Sequence, residues 1–313
     1  MSAENRRPLW LTDEDVTAAV RLDAAIPAVA AIVEREARGT ARAIPKTMAT
    51  WDPSSAAHAL GGYDSEAALV AFKTWVNTPR GAAAILSLFR ADSGELLATM
   101  QAIAVGLIRT ASISGIATRL LSDPAADELA IVGTGRQALL QVAAVSAVRP
   151  IRRVRVWSPR DESREAFART IQDRLEMDAV AYPDVEAAVD GAPIVTLVTR
   201  AREPFFPRGL LAHGAHLNAV GAILPHNAEF DETILEESDL TVVDNLEGAR
   251  TASRELIQFY GEDWGGVRTL GDMLLGSAHR PDDPRLTVFK GVGLGLGDLA
   301  VAQLAYESRA VGA

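Results

Sequence analysis

The sequence predicts an α/β protein, with a doubly wound parallel sheet joined to a second, α+β domain built on an antiparallel sheet. Three observations carry that reading. From Glu128 onward, short apolar runs alternate with helix-period segments, the pattern of strands that return in parallel through helical crossovers. From Ala41 to Met100 the short apolar runs are instead separated by Gly, Pro, Asp and Ser, as in strands joined by tight turns. At the head of the alternating part, Gly133-Thr134-Gly135-Arg136-Gln137-Ala138 matches G-x-G-x-x-A between a buried run, Leu129 to Val132, and a helix-period segment, Leu139 to Val148.

In chain order, Thr12-Asp13-Glu14-Asp15 offers an N-cap and an acidic first turn, and a second helix runs from Leu22 to Glu36, ending before Gly39. The strands expected next include Leu69–Val76, Ala83–Phe89 and Leu96–Met100, with turns at Thr78-Pro79-Arg80-Gly81 and Asp92-Ser93-Gly94. Ala102 to Leu121 reads as one long helix of small and apolar residues, and Ser122-Asp123-Pro124 as the domain crossing. The parallel strands expected beyond it are Leu129–Val132, Val154–Trp157, Ala179–Tyr182, Ile194–Val198, His216–Val220 and Leu240–Asp244. Helices are expected at Arg136–Val148, Glu162–Glu176, Val185–Ala188 and Thr233–Glu237, then a strand at Thr287–Gly291 and a last helix at Leu294–Ser308. The domains are therefore 1–118 with 293–313 for substrate and dimerisation, and 119–292 as a Rossmann-type nucleotide domain.

The glycine motif carries specific chemistry. Gly133 permits the tight turn, Gly135 admits a pyrophosphate to backbone N–H groups, and Ala138 lets helix and strand pack closely, while the helix N-terminus favours the anion. A net charge of −10 disfavours a nucleic-acid partner, since no basic stripe would anchor phosphates. The absence of cysteine excludes disulfides, thiolate metal sites and a cysteine nucleophile, and no metal site is expected. The N-terminus has no long apolar core of a leader, and no segment reads as long enough to span a membrane, so a cytoplasmic protein is expected.

Landmarks along nearly the whole chain resemble the ornithine cyclodeaminase/mu-crystallin family. They are Phe72-Lys73 through Pro79, Ile108-Arg109-Thr110-Ala111, Val132–Ala138, Leu217–Ala222, Glu229-Phe230-Asp231 and Val288–Asp298, in that order. The resemblance implies hydride transfer between a nicotinamide cofactor and a carbon that bears nitrogen beside a carboxylate, in a homodimer built through the antiparallel domain. It places Lys73 on the substrate carboxylate, as a group that can also shuttle a proton, and Arg109 facing substrate and cofactor. Lys46 stands in for an arginine the family uses nearby, or is a plain exposed lysine, and Val292 joins the substrate positions.

For the nucleotide, the resemblance and the strand-turn-helix context together point to Gly133, Thr134, Gly135, Arg136, Gln137, Thr199, Val220, Gly221 and Gly291. At the end of the second parallel strand, where an NAD enzyme usually carries an acidic residue, stands Ser158, followed by Pro159 and Arg160. A hydroxyl with a nearby arginine suits a 2′-phosphate, so NADP is favoured over NAD, although Asp161 could contact a ribose or cap the next helix.

The sequence also departs from the cyclodeaminases. Their aspartate after the glycine pair of the fifth strand is here Ile223, and no acidic residue lies between Asp52 and Asp64, where they offer a glutamate. Asp298 could serve as the acid–base group, or be a helix-start aspartate. His226, after Pro225, is a further candidate proton donor. The expected function is reduction of an α-imino acid (a ketimine), or the reverse oxidation. Ornithine cyclodeamination and a non-catalytic NADP-binding carrier are the alternatives.

Overall fold

The computed structural model describes residues 7–52 and 54–310, so the first residues of the leader reading and the chain ends of the expected domains lie outside it. The chain divides into two units, Met1–Thr110 with Leu294–Ala313, and Ala111–Gly293. The division falls within the long helix, where the sequence suggested 118 and a crossing at Ser122.

The first unit opens with β1 (Leu9–Leu11), α1 (Asp13–Ala19) and α2 (Leu22–Ala37). Thr12 caps the start of α1 as its sequence suggested, and Asp15 returns the bond to make a reciprocal capping box. A meander follows: β2 (Ala41–Asp52), β3 (Ser55–Asp64), β4 (Leu69–Thr78), β5 (Gly81–Arg90) and β6 (Leu96–Gln101), with the first turns of α3 (Ile103–Leu121) after it. The sheet order is β1-β6-β5-β4-β3-β2. All pairs are antiparallel except β1 with β6, which makes the sheet mixed. No hairpin ties β1 to β6, because two helices and four strands intervene. Period-two alternation turns Leu69, Ala71 and Lys73 of β4 inward and Phe72, Thr74 and Val76 outward.

The final helix, Gly295–Ala310, packs on α2 and on the inward face of this sheet. Its first turn meets β3 at backbone distance. A Cβ on Gly295 would stand 2.2 Å from the Gly61 carbonyl oxygen, and one on Gly62 would stand 2.9 Å from the Leu296 side chain. Glycine on both partners brings the helix start down onto the strands, and so sets the depth of Asp298.

The second unit is an eight-stranded parallel sheet. Its elements are β7 (Glu128–Val132), α4 (Ala138–Ser146), β8 (Arg153–Trp157), α5 (Asp161–Leu175), β9 (Asp178–Ala181), α6 (Val185–Val189), β10 (Ile194–Leu197), β11 (Ala215–Ala219), a 3-10 turn at Glu232–Glu237, β12 (Leu240–Val243), α7 (Leu246–Ala252), α8 (Arg254–Tyr260), β13 (Val267–Thr269), α9 (Leu270–Leu274) and β14 (Leu286–Lys290). The order β13-β12-β14-β11-β10-β7-β8-β9 reverses direction between β7 and β10, the switch point at which such sheets bind ligands beyond their strand ends. β13 and α7 to α9 lay outside the sequence reading. They are too short for a periodic signature, and their signal lies in the caps, Asn245, Ser253 and Thr269, each of which accepts a backbone N–H.

α3 needs one correction to the membrane reading. It is long and apolar enough by length and composition to cross a membrane, but 61% of that window is buried in the protein. Its C-terminal carbonyls are capped by side chains. Arg149 donates to the carbonyls of Thr118, Arg119 and Ser122, and Arg280 to that of Leu121. His216 is fully buried between Thr287 and Asn218, and desolvation lowers its pKa to about 3, so it is a neutral core residue.

Candidate active site

In the first unit, the sheet and the final helix bring together three of the residues singled out from sequence. Lys73, inward on β4, donates through Nζ to Oδ1 of Asp298 at 2.7 Å. Arg109, on α3, donates through Nε to the same oxygen at 3.3 Å. Asp298 is only 1% exposed, and its Oδ2 has no hydrogen-bond partner although it is shut off from solvent. Asp298 is thus both a first-turn helix aspartate and the anion between two cations.

Burial lowers the Lys73 pKa and the Arg109 charge adds to the effect, while Asp298 acts in the opposite sense. Lys46 keeps solvent access, yet desolvation by the surrounding protein and the charge of Arg109 lower its pKa too. Two cations share one carboxylate, and Lys46 lies near enough to Arg109 to feel its charge, so this corner is positive and suits a ligand carboxylate.

In the second unit, the loop after β7 has the form its glycines suggested. Gly133 has φ +114, and a Cβ there would stand 2.6 Å from the Val198 carbonyl oxygen. A Cβ on Gly135 would meet nothing within 4 Å, so that face of the loop is open to an approaching group. Thr134 is half-buried, and Arg136 lies exposed beside the opening. The expected helix start at Arg136 moves to Ala138, with Gln137 as N-cap making no side-chain cap bond and its Oε1 buried without a partner. A loop of this form at a helix start fits a dinucleotide pyrophosphate.

At the end of β8, Ser158 is buried and its hydroxyl donates to the Arg160 carbonyl at 3.3 Å. Arg164 donates to the Ser158 carbonyl and pairs with Asp161 at 2.7 Å. Asp161 therefore belongs to the first turn of α5, held by Arg164, while Arg160 is exposed at the N-cap.

Sequence reasoning quoted Glu229 as a landmark but gave it no role, and the structure makes it the clamp of this edge. Glu229 is fully buried. Its Oε1 accepts from Thr199 N at 2.6 Å and Thr199 Oγ1 at 2.8 Å, and its Oε2 from Gly221 N at 2.8 Å and Ala222 N at 3.1 Å. One carboxylate thus ties the loops after β10 and β11. A Cβ on Gly221 would stand 2.3 Å from both Thr199 backbone atoms and Glu229 Oε1, so glycine is required there. Behind it, Glu255 Oε1 accepts from Glu229 N and from the buried Lys290 Nζ, both at 3.0 Å.

Asp244 fixes the loop after β14, accepting from Val292 N and Gly293 N at 2.9 and 2.8 Å, and Gly291 packs against Val220. The two weaker candidates of this unit stand apart from the clamp. Ile223 is 41% exposed, and His226 is exposed as well.

The profile of the ornithine cyclodeaminase/mu-crystallin family matches residues 6–312. The chain belongs to this family. Among its relatives, Delta(1)-pyrroline-2-carboxylate reductase of Bacillus cereus is 35% identical over 228 residues, 71% of this chain and 70% of that protein. Ketimine reductase mu-crystallin of Mus musculus is 35% identical over 221 residues, 71% of this chain and 68% of that protein. The solved structure of Thermococcus litoralis Delta(1)-pyrroline-2-carboxylate reductase, in complex with NADH and L-proline, superposes with a TM-score of 0.92 at 26% identity and covers 97% of this chain and 98% of that one.

Proposed function

We propose that this protein is an NAD(P)-dependent oxidoreductase of the family that reduces an α-imino acid, or oxidises the matching amino acid, with NADP preferred. The observation that carries the reading is the Lys73–Asp298–Arg109 cluster, in which two cations share one oxygen of a buried carboxylate. The named relatives support it, being imine reductases themselves.

Lys73, Arg109 and Lys46 hold the substrate carboxylate by charge and hydrogen bonds. When bound, a nicotinamide cofactor would supply the hydride for the imine carbon. Lys73, whose burial makes its ammonium a readier acid, gives the proton that the nitrogen needs as it becomes an amine. Asp298 holds Lys73 in position and keeps part of its charge. In the second unit, the residues of the loop after β7 (Gly133, Thr134, Gly135, Arg136, Gln137) take the pyrophosphate, and Thr199, Val220, Gly221 and Gly291 line the edge that Glu229 sets. Val292, the remaining substrate residue that the resemblance implies, is fixed through its backbone by Asp244.

At the end of β8 the nearby carboxylate of Asp161 is turned to Arg164 through one oxygen. Ser158 and Arg160 suit a 2′-phosphate. Arg160→Ala is expected to weaken NADPH by about tenfold, one charged contact, with little change for NADH. Equal losses for both nucleotides in titration calorimetry would remove Arg160 from the phosphate role.

The protein acts as a homodimer in the cytoplasm on this reading. The outward face of the first unit's sheet supports the dimer: Tyr63, Phe72, Val76 and Ile85 lie on one face and are each more than a third exposed, a patch that calls for a partner surface.

Cyclodeamination is disfavoured. Where cyclodeaminases carry an aspartate stands Ile223, so the distal amine of ornithine finds no carboxylate there to take its proton. Incubation of the enzyme with ornithine and either cofactor is expected to release no ammonia and form no proline above background. Robust proline formation would restore the cyclodeaminase reading.

A further inference from the structure

Two buried charges lie behind the Glu229 clamp and have no role in the chemistry above. Lys290 is the last residue of β14 and Glu255 the second of α8, and both are fully buried. Lys290 Nζ donates to Glu255 Oε1 at 3.0 Å and stands 5.7 Å from the centroid of the Phe230 ring. The same Oε1 accepts from Glu229 N at 3.0 Å, and Oε2 accepts from Ser253 Oγ at 3.1 Å. A chain of contacts therefore runs from the end of β14 through Glu255 to Glu229, and from the Glu229 carboxylate to Thr199, Gly221 and Ala222.

Stability alone gives no reason for this pair. Desolvating a carboxylate and an ammonium costs about what their attraction returns, and apolar side chains of similar volume often hold a fold as well or better. Apolar side chains do not, however, fix one loop against another at a set distance and direction, as a bonded pair does.

The pair joins places where that matters. The residue after Lys290 is Gly291, whose N–H donates to the Ala219 carbonyl at 3.1 Å. In the sheet order β8 lies on one side of β7, and β10, β11 and β14 lie on the other. A dinucleotide with its pyrophosphate on the loop after β7 and its adenosine ribose at the end of β8 must lay its nicotinamide half across the ends of β10, β11 and β14. Thr199, Gly221 and Gly291, at the ends of those three strands, are the residues that Glu255 ties together through Glu229 and Lys290.

Resting on the NAD(P) reading of this edge, we infer that Lys290 and Glu255 are positioning residues. Their ion pair locks the loop after β14 to the loops after β10 and β11, and so sets the seat of the nicotinamide half without touching it. The adenine half, held by the loops after β7 and β8, lies outside their reach.

Two variants separate positioning from folding. Lys290→Met leaves the Glu255 carboxylate buried without its cation, so it is expected to melt several degrees below the wild type. Lys290→Met combined with Glu255→Gln removes both charges, keeps an acceptor for Glu229 N, and is expected to regain most of that loss. NADPH and NADH are titrated by fluorescence. Adenosine 2′,5′-bisphosphate and ADP, which carry only the adenine side, are measured by competition with them.

In the double variant the tighter-binding of the two reduced cofactors is expected to weaken about tenfold, the size of one lost coupling between packed groups, while the matching adenine-side fragment stays within about twofold of the wild type. A pair that served folding alone would move both or neither. A double variant that binds cofactor as the wild type does, that loses cofactor and fragment in equal measure, or that is too unstable to titrate would overturn the inference. A wild type that binds neither NADPH nor NADH would overturn the nucleotide reading itself, and the inference with it.

Discussion

Glu229→Ala is expected to abolish useful nucleotide binding, with NADPH weakened at least about 100-fold and the melting temperature lowered by several degrees. The carboxylate takes four donors: Thr199 N and Oγ1 at one oxygen, Gly221 N and Ala222 N at the other. Removing it leaves these groups without their acceptor, at about 1–3 kcal/mol for each that stays buried. The loops after β10 and β11 also lose their common anchor. Glu229→Gln keeps one oxygen and turns an amide toward the other two donors, so it is expected to recover only part of the affinity. Fluorescence titration with NADPH beside a thermal melt makes the check. Wild-type affinity in the alanine variant would show that the clamp does not set the nucleotide edge.

Lys73→Met is expected to lower kcat/KM for an imino acid by about 10²–10⁴-fold, the range for a removed general acid, while NADPH titrates as in the wild type. The pH profile carries the sharper form of this prediction. Burial and Arg109 hold the Lys73 pKa below its ordinary 10.5, and Asp298 partly opposes them by stabilising the ammonium. Reduction requires the protonated lysine, so activity falls as pH rises through that lowered pKa. Asp298→Asn removes the one stabilising charge, and the alkaline limb of kcat/KM is expected to move to still lower pH. A limb that stayed in place, or moved upward, would take the proton step away from Lys73.

Much of this was legible in the sequence because local chemistry fixed it. The glycine motif requires a positive φ and an open approach, and both are present at Gly133 and Gly135. Lys73 was reached through the resemblance, and the alternation of β4 is what turns it inward. The role of Glu229 was not legible, since it depends on the ends of two strands meeting one side chain up to thirty residues later. Asp298 was ambiguous for a similar reason: a first-turn aspartate reads as a dipole partner until Lys73 and Arg109, 225 and 189 residues away, are seen on its oxygen. The short capped helices after β12 escaped because five to seven residues carry no clear period.

The most direct test of the central claim is the initial rate of NADPH oxidation by purified protein on addition of a cyclic imine such as pyrroline-2-carboxylate or piperideine-2-carboxylate. Saturable oxidation, with the matching cyclic amino acid formed one for one with NADP, is the predicted result, and it is expected to disappear in Lys73→Met. NADPH that binds tightly and is never oxidised by any imino acid offered would contradict the account and leave a nucleotide-binding protein without this chemistry.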